Sequence, residues 1–149
     1  MLEEQNTTDP YDVIVIGGGT AGLAGALWLA RYQRRVRVFD ARDPRNAPTW
    51  AVHGYLGVDD PTPAELRRVG MEQATHAGAE FEAAMVERVE GGKDDFRVTL
   101  SDEREFRARR VLVCTGLRDI KPEIPGLEEF YGRSIWYCPD CDGPGVVGK

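Results

Sequence analysis

The apolar run Tyr11–Ile16 breaks into Gly17-Gly18-Gly19-Thr20-Ala21-Gly22, after which apolar residues return at helical spacing as Leu23, Ala26, Leu27 and Ala30. A short apolar run closed by glycines and followed by a 3.6-residue period predicts strand, tight turn, helix. Gly17, Gly19 and Gly22 fit the pattern GxGxxG. In that pattern the first glycine permits a turn with unusual dihedrals, the second lets a ligand approach the backbone, and the third lets the helix sit tightly on the strand. Arg35-Val36-Arg37-Val38-Phe39 alternates apolar and polar side chains and ends at Asp40, which predicts a second strand. A β-α-β unit is therefore complete by residue 40, and it commits the chain to an α/β fold.

The turn also predicts a ligand. Free N–H groups at the start of the helix, with the helix dipole behind them, favour an anion without any basic side chain. No lysine follows the turn, so the reading as a mononucleotide phosphate loop fails. Asp40 stands eighteen residues past Gly22, at the end of the next strand. A carboxylate there accepts hydrogen bonds from an adenosine ribose and disfavours a 2'-phosphate, so FAD or NAD is expected rather than NADP. The plainer alternative is a set of glycines in an ordinary loop.

Beyond Asp40 the chain loses its period. Residues 41–62 carry Pro44, Pro48 and Pro61 and read as an irregular loop, long enough to cover a ligand. Thr62-Pro63-Ala64-Glu65 is a capping box with proline at the first helical position, predicting a helix from 63 to about 77, closed by Gly78. Residues 79–90, 96–100 and 105–109 read as short strands of an antiparallel meander, and 111–114 as a separate buried strand ending at Thr115-Gly116. The expected fold is Rossmann-like. Its parallel sheet is drawn from 11–16, 35–39, roughly 80–86 and 111–114, with helices at 20–32 and 63–77 and an antiparallel layer between 86 and 109. Pro122, Pro125 and Gly126 mark a connector, and residues 135–149 begin a further element.

At 149 residues the chain is long enough for one domain and a stub. The expected layout is a polar tail at 1–10, a dinucleotide-binding domain at 11–120, and a connector with the start of a second domain at 121–149. The net charge of -6, with all but three of the 19 basic residues being arginines scattered along the chain, excludes a nucleic-acid footprint. No apolar stretch is long enough for a membrane span and no targeting segment is visible in the first ten residues, so a cytoplasmic setting is expected.

In a reducing compartment, Cys138-Pro139-Asp140-Cys141 points to redox or metal chemistry and not to a structural staple. Cysteines at i and i+3 on a helix start lie on one face within reach of a disulfide, and a thiolate there is stabilised by the dipole. Asp142 follows with a carboxyl group that could move a proton as a sulfur attacks or leaves. The alternative is half of a zinc site. It would need two further ligands from His53, His76 and Cys114, none of which forms a second paired spacing. Cys114 itself reads as a small hydrophobe in a strand. His53, in the proline-broken loop, reads either as a residue approaching the cofactor or as a solvated or capping histidine.

Taken in order, Asp12 to Gly22, Pro44-Arg45-Asn46, His53-Gly54-Tyr55-Leu56-Gly57, Val111 to Gly116 and Cys138 to Gly143 resemble the amino-terminal half of a low-molecular-weight thioredoxin reductase. They also resemble the related flavoproteins that include dithiol oxidases of the gliotoxin type. The resemblance implies FAD contacts at Gly17, Gly18, Gly19, Thr20, Ala21, Gly22, Asp40, Asn46, Thr115 and Gly116, with Val86 near the adenine. It implies a redox disulfide between Cys138 and Cys141, with Cys141 facing the flavin, Cys138 exchanging with substrate, and Asp142 as acid and base. Electrons would run from NADPH, bound in a domain downstream of this chain, through FAD to the cysteine pair. From there they would pass to a thioredoxin-like protein or a small disulfide, and a homodimer is left open.

The sequence departs from the family where Val146-Val147-Gly148-Lys149 ends without a second glycine motif or the returning carboxy-terminal FAD segment. The alternative expectation is thus a flavin-binding module without turnover of its own, or half of a small-dithiol oxidase. Asp142 stands where the gliotoxin-type enzymes commonly carry histidine. A third reading, a binder of NAD alone, predicts no flavin.

Overall fold

A computed structural model describes residues 9–136 and 138–148. The polar tail expected at 1–10 lies outside the described residues except for Asp9 and Pro10. The elements are β1 (Tyr11–Ile16), α1 (Thr20–Arg31), β2 (Val36–Asp40), α2 (Pro63–His76), β3 (Glu80–Ala83), β4 (Val86–Gly92), β5 (Asp95–Leu100), β6 (Glu105–Val113), α3 (Leu127–Phe130) and α4 (Pro139–Asp142), followed by a 3-10 turn at Gly143–Val146. They fall into two compact units. The first comprises the chain up to Arg42 together with Gly70–Thr115, and the second comprises Asp43–Val69 together with the chain from Gly116 onward.

The first unit is built on one six-stranded sheet in the order β3-β2-β1-β6-β5-β4. β1 pairs in parallel with β2 on one side and β6 on the other, and β2 pairs in parallel with β3. The order therefore reverses at β1, and in open α/β sheets ligands bind outside the carboxyl ends of the strands at such a switch point. Successive strand side chains point to opposite faces. Val13, Val15, Val36 and Val38 accordingly meet Ala26 and Ala30 of α1 and Ala74 of α2 on one face. Ile14, Ile16 and Phe39 gather with Val98, Leu100 and Ala108 on the other.

Two features differ from the sequence reading. The strands expected at 105–109 and 111–114 are one strand, β6, whose first half pairs antiparallel with β5 while its second half runs parallel to β1. The adjacent Arg109 and Arg110 look like a break, but both guanidinium groups stay outside, paired with Asp12 at 3.3 Å and Asp94 at 2.5 Å. The antiparallel meander is thus an extension of the parallel sheet and not a separate layer. The run expected at 79–90 divides instead at Ala84-Met85. There the backbone leaves β2, with Ala84 N–H donating to the Asp40 carbonyl at 3.1 Å, and turns to β5, with the Met85 carbonyl accepting from Ser101 N–H at 2.9 Å.

The second unit has little regular structure. The capping box is formed: Glu65 N–H donates to Thr62 Oγ1 at 3.2 Å, and Thr62 N–H donates to Glu65 Oε2 at 3.0 Å. Arg45 donates two hydrogen bonds to Asp119, at 2.7 and 2.8 Å, and these guanidinium contacts hold the Asp119 carboxyl below its ordinary range. Among the described residues no helix is long and apolar enough to cross a membrane.

Candidate functional site

In the first unit, the carboxyl ends of β1, β2 and β6 meet at the glycine turn. Gly17 N–H donates to the Phe39 carbonyl at 2.8 Å, and Cys114 N–H donates to the Ile16 carbonyl at 2.8 Å. Gly17 adopts φ +103°, and a Cβ built there would stand 2.2 Å from the Cys114 carbonyl oxygen and 3.3 Å from Thr115 Cα. A Cβ on Gly22 would stand 1.9 Å from the Gly17 carbonyl oxygen. Both positions need glycine for contact reasons, one against β6 and one within the turn itself. Gly19 is different: a Cβ there would meet nothing within 4 Å. The space in front of Gly19 is open.

Gly19 is the N-cap of α1, no side chain caps the helix, and its first turn contains no acidic residue. Gly19, Thr20 and Ala21 are exposed. A helix start leaves N–H groups that require a partner, and here the space in front of its N-cap Gly19 is open. This arrangement fits a diphosphate. Asp40 lies beside it, with Oδ2 accepting Gly18 N–H at 2.5 Å and Oδ1 accepting Arg42 N–H at 2.7 Å. The carboxylate thus ties the end of β2 to the turn.

Thr115 is exposed and adjoins the turn through the Gly17 contact. Val86 begins β4 and is half-buried against the second core cluster. Cys114 is a free, half-buried thiol beside the first core cluster, and burial pushes its pKa up.

In the second unit, Gly116 takes φ +68° and Asn46 is half-buried, its carbonyl accepting Thr49 N–H at 3.1 Å. Cys138 and Cys141 are joined as a disulfide with Cα atoms 5.3 Å apart. Cys138 is the N-cap of α4, and its Sγ accepts Cys141 N–H at 3.1 Å. Pro139 occupies the first turn, where its missing N–H costs nothing. Cys138 is half-buried and Cys141 exposed. Cys141 and Asp142 form part of the wall of an open cleft of about 630 Å³, which Trp50, His53 and Trp136 also line.

His53 was open between two readings, and the structure sets it in this cleft with Nδ1 2.8 Å from Asp60 Oδ1. His76 lies in the last turn of α2. Among the described residues no three His, Cys, Asp or Glu side chains gather as a metal site would require. Sequence reasoning passed over Trp50, Asp60 and Trp136. The available signal was the proline that closes the loop at position 61, since the Pro61 carbonyl accepts Val52 N–H at 2.8 Å and so brings residues 53 and 60 opposite each other.

Comparison with known proteins gives the family. Residues 11–146 match the family described as pyridine nucleotide-disulphide oxidoreductase. The chain is 36% identical over 142 residues to thioredoxin reductase tcpT of Claviceps purpurea, covering 93% of this chain and 44% of that protein. It is 33% identical over 141 residues to the thioredoxin reductase of Bacillus subtilis strain 168, with 93% and 44% covered. The crystal structure of HlmI superposes with a TM-score of 0.88 at 42% identity, covering 92% of this chain and 44% of that one. The chain therefore spans less than half the length of these relatives. The strand-turn-helix cradle, the sheet order and the match from Tyr11 to Val146 lead to one assignment: the chain belongs to the pyridine nucleotide-disulphide oxidoreductase family, among its thioredoxin-reductase-like members.

Proposed function

We propose that this chain is the FAD-binding part of a disulfide oxidoreductase that takes electrons from NADPH and delivers them, through the Cys138–Cys141 disulfide, to a thioredoxin-like protein or a small disulfide. The observation that carries the reading is a disulfide whose Cys141 opens, beside Asp142, onto a cleft. It stands in the same chain as an uncapped helix start that faces open space. In this reading residues 11–120 hold the flavin, and residues 121–149 form the connector and the beginning of the NADPH domain.

The backbone N–H groups of Gly19 to Gly22 would hold the FAD diphosphate, with Gly18, Asp40 and Thr115 beside them and Asn46 and Gly116 as further contacts. FAD, when bound, supplies a two-electron carrier between a nicotinamide and a disulfide. The chain's own residues do the rest. Cys141 faces the cleft and is the sulfur that first receives electrons. The Cys138 sulfur accepts a backbone N–H, so when the disulfide opens it is the one whose negative charge is stabilised, which suits it to attack a substrate disulfide. Asp142, which lines the same cleft beside Cys141, would supply the proton that Cys141 takes up when the disulfide is opened.

The test is a thiol count. The chain is loaded with FAD, photoreduced without oxygen, unfolded and titrated. The thiols should rise from the single Cys114 to all three cysteines, and Cys141→Ser should abolish the rise while flavin stays bound. A count that remains at one in the wild-type chain, with reduced flavin bound, contradicts the proposal.

A further inference from the structure

The loop that carries His53 is closed twice. Val52 N–H donates to the Pro61 carbonyl at 2.8 Å, and immediately inside that closure His53 Nδ1 lies 2.8 Å from Asp60 Oδ1. Asp60 takes φ +42°, in the left-handed region that aspartate tolerates better than most side chains. The histidine ring sets its edge against Trp50, with centroids 5.0 Å apart and planes at 69°. A ring held at one nitrogen by a carboxylate has its tautomer fixed: Nδ1 carries the proton and Nε2 is left to accept another. His53 lines the cleft that Cys141 and Asp142 also line. The titratable groups facing it are Asp60 from its own loop and Asp140, Asp142 and, once the disulfide is reduced, Cys141 from α4, and among the described residues no lysine or arginine lines the cleft.

We propose that His53 is the acid–base group that serves Cys141 and that Asp60 is its positioning residue; the inference rests on the redox reading of the cysteine pair given above. Starting from the reduced pair, the Cys138 thiolate attacks one sulfur of a substrate disulfide. A bond forms to Cys138 Sγ, the substrate S–S bond breaks, and the other substrate sulfur leaves with the electron pair and is protonated by solvent. Cys141 then passes its thiol proton to His53 Nε2, and its sulfur attacks Cys138 Sγ. The Cys138–Cys141 bond forms, the mixed disulfide breaks, and the second substrate sulfur leaves with the electron pair and takes its proton from the His53 imidazolium. Two electrons have moved from the pair to the substrate, and His53 returns to its starting state.

The two steps separate experimentally when the dithiothreitol-reduced, desalted chain is mixed with 5,5'-dithiobis(2-nitrobenzoate) in a stopped-flow instrument. The first thionitrobenzoate reports attack by Cys138, and the second reports closure by Cys141. His53→Gln should slow the second release about tenfold or more while leaving the first within about twofold. It should also remove a sigmoidal rise from the pH profile of the second release. In His53→Gly, added imidazole should restore the second release, which a purely structural role for the ring would not allow. Asp60→Asn should slow the same phase to a smaller extent. A second release that is unchanged in His53→Gln, or that imidazole fails to restore in a slowed His53→Gly, overturns the assignment of His53. A wild-type pair that releases no thionitrobenzoate overturns the redox reading itself, so the two failures are distinguishable.

Discussion

The two units of this chain use their residues in opposite ways. Among the described residues, all the buried apolar side chains belong to the first unit except Ala51, Pro61 and Leu127. That unit presents backbone: a helix start and a glycine turn fixed by strands on both sides. The second unit presents side chains, namely two cysteines, Asp142, His53 and two tryptophans, on loops and a four-residue helix. Holding a diphosphate requires amides that do not move, whereas opening and closing a disulfide requires atoms that can. The contrast follows the general division between rigid scaffold and reactive loop.

The contrast can be broken most sharply at two glycines. Gly22→Ala drives a Cβ to within 1.9 Å of a backbone carbonyl in the first unit, and by the size of comparable core clashes should cost more than about 4 kcal/mol in urea unfolding. Gly143→Ala, at φ -55° with nothing within 4 Å, should stay within about 0.5 kcal/mol. Equal losses at the two sites would remove the distinction between the units.

Reducing the disulfide sharpens the same comparison. Closing so short a loop contributes about 2 kcal/mol at most, and the effect should be confined to the second unit. Hydrogen exchange should therefore speed up at amides of residues 138–148, while β1, β2 and β6 keep their protection. Loss of protection in the sheet would show that the units are not energetically separate. A smaller effect is expected at the start of α2, where Thr62→Ala removes the cap and should cost about 1 kcal/mol in the same unfolding assay.

The gentlest test is acid. Burial pushes the Glu82 carboxyl up, but hydrogen bonds from Arg37 and Arg104 outweigh it, and the group sits below its ordinary 4.5 in the folded chain. A carboxyl with a lowered folded pKa contributes stability that is complete above 4.5 and is lost as pH falls through the folded value. Glu82→Gln should therefore flatten the acid limb of a stability–pH curve. An unchanged limb would show that this cluster on β2 and β3 contributes nothing there.

Much of the first unit was legible because its signals are local. The strand-turn-helix at 11–31 depends on residues within a few positions of one another, as does the cap at Thr62 in the second unit. The joining of β6 was not legible, since Arg109 and Arg110 interrupt the apolar pattern, and only their partners Asp12 and Asp94 explain why the strand runs through them. The cysteine pair announced itself by spacing, and His53 attracted notice without a role. Asp60 was signalled only by the neighbouring Pro61, and Trp50 and Trp136 carried no signal. Their meeting depends on a loop closure and on distant segments, which no local period encodes.

The central claim is that backbone amides of the opening turn hold a diphosphate. Its most direct measurement is an amide footprint of the isotope-labelled chain as FAD is added. The account predicts that the N–H signals of Gly19 to Gly22 and of Thr115 shift together and saturate with the flavin absorbance. Flavin that binds while these signals stay fixed, or an addition that produces no binding, contradicts it.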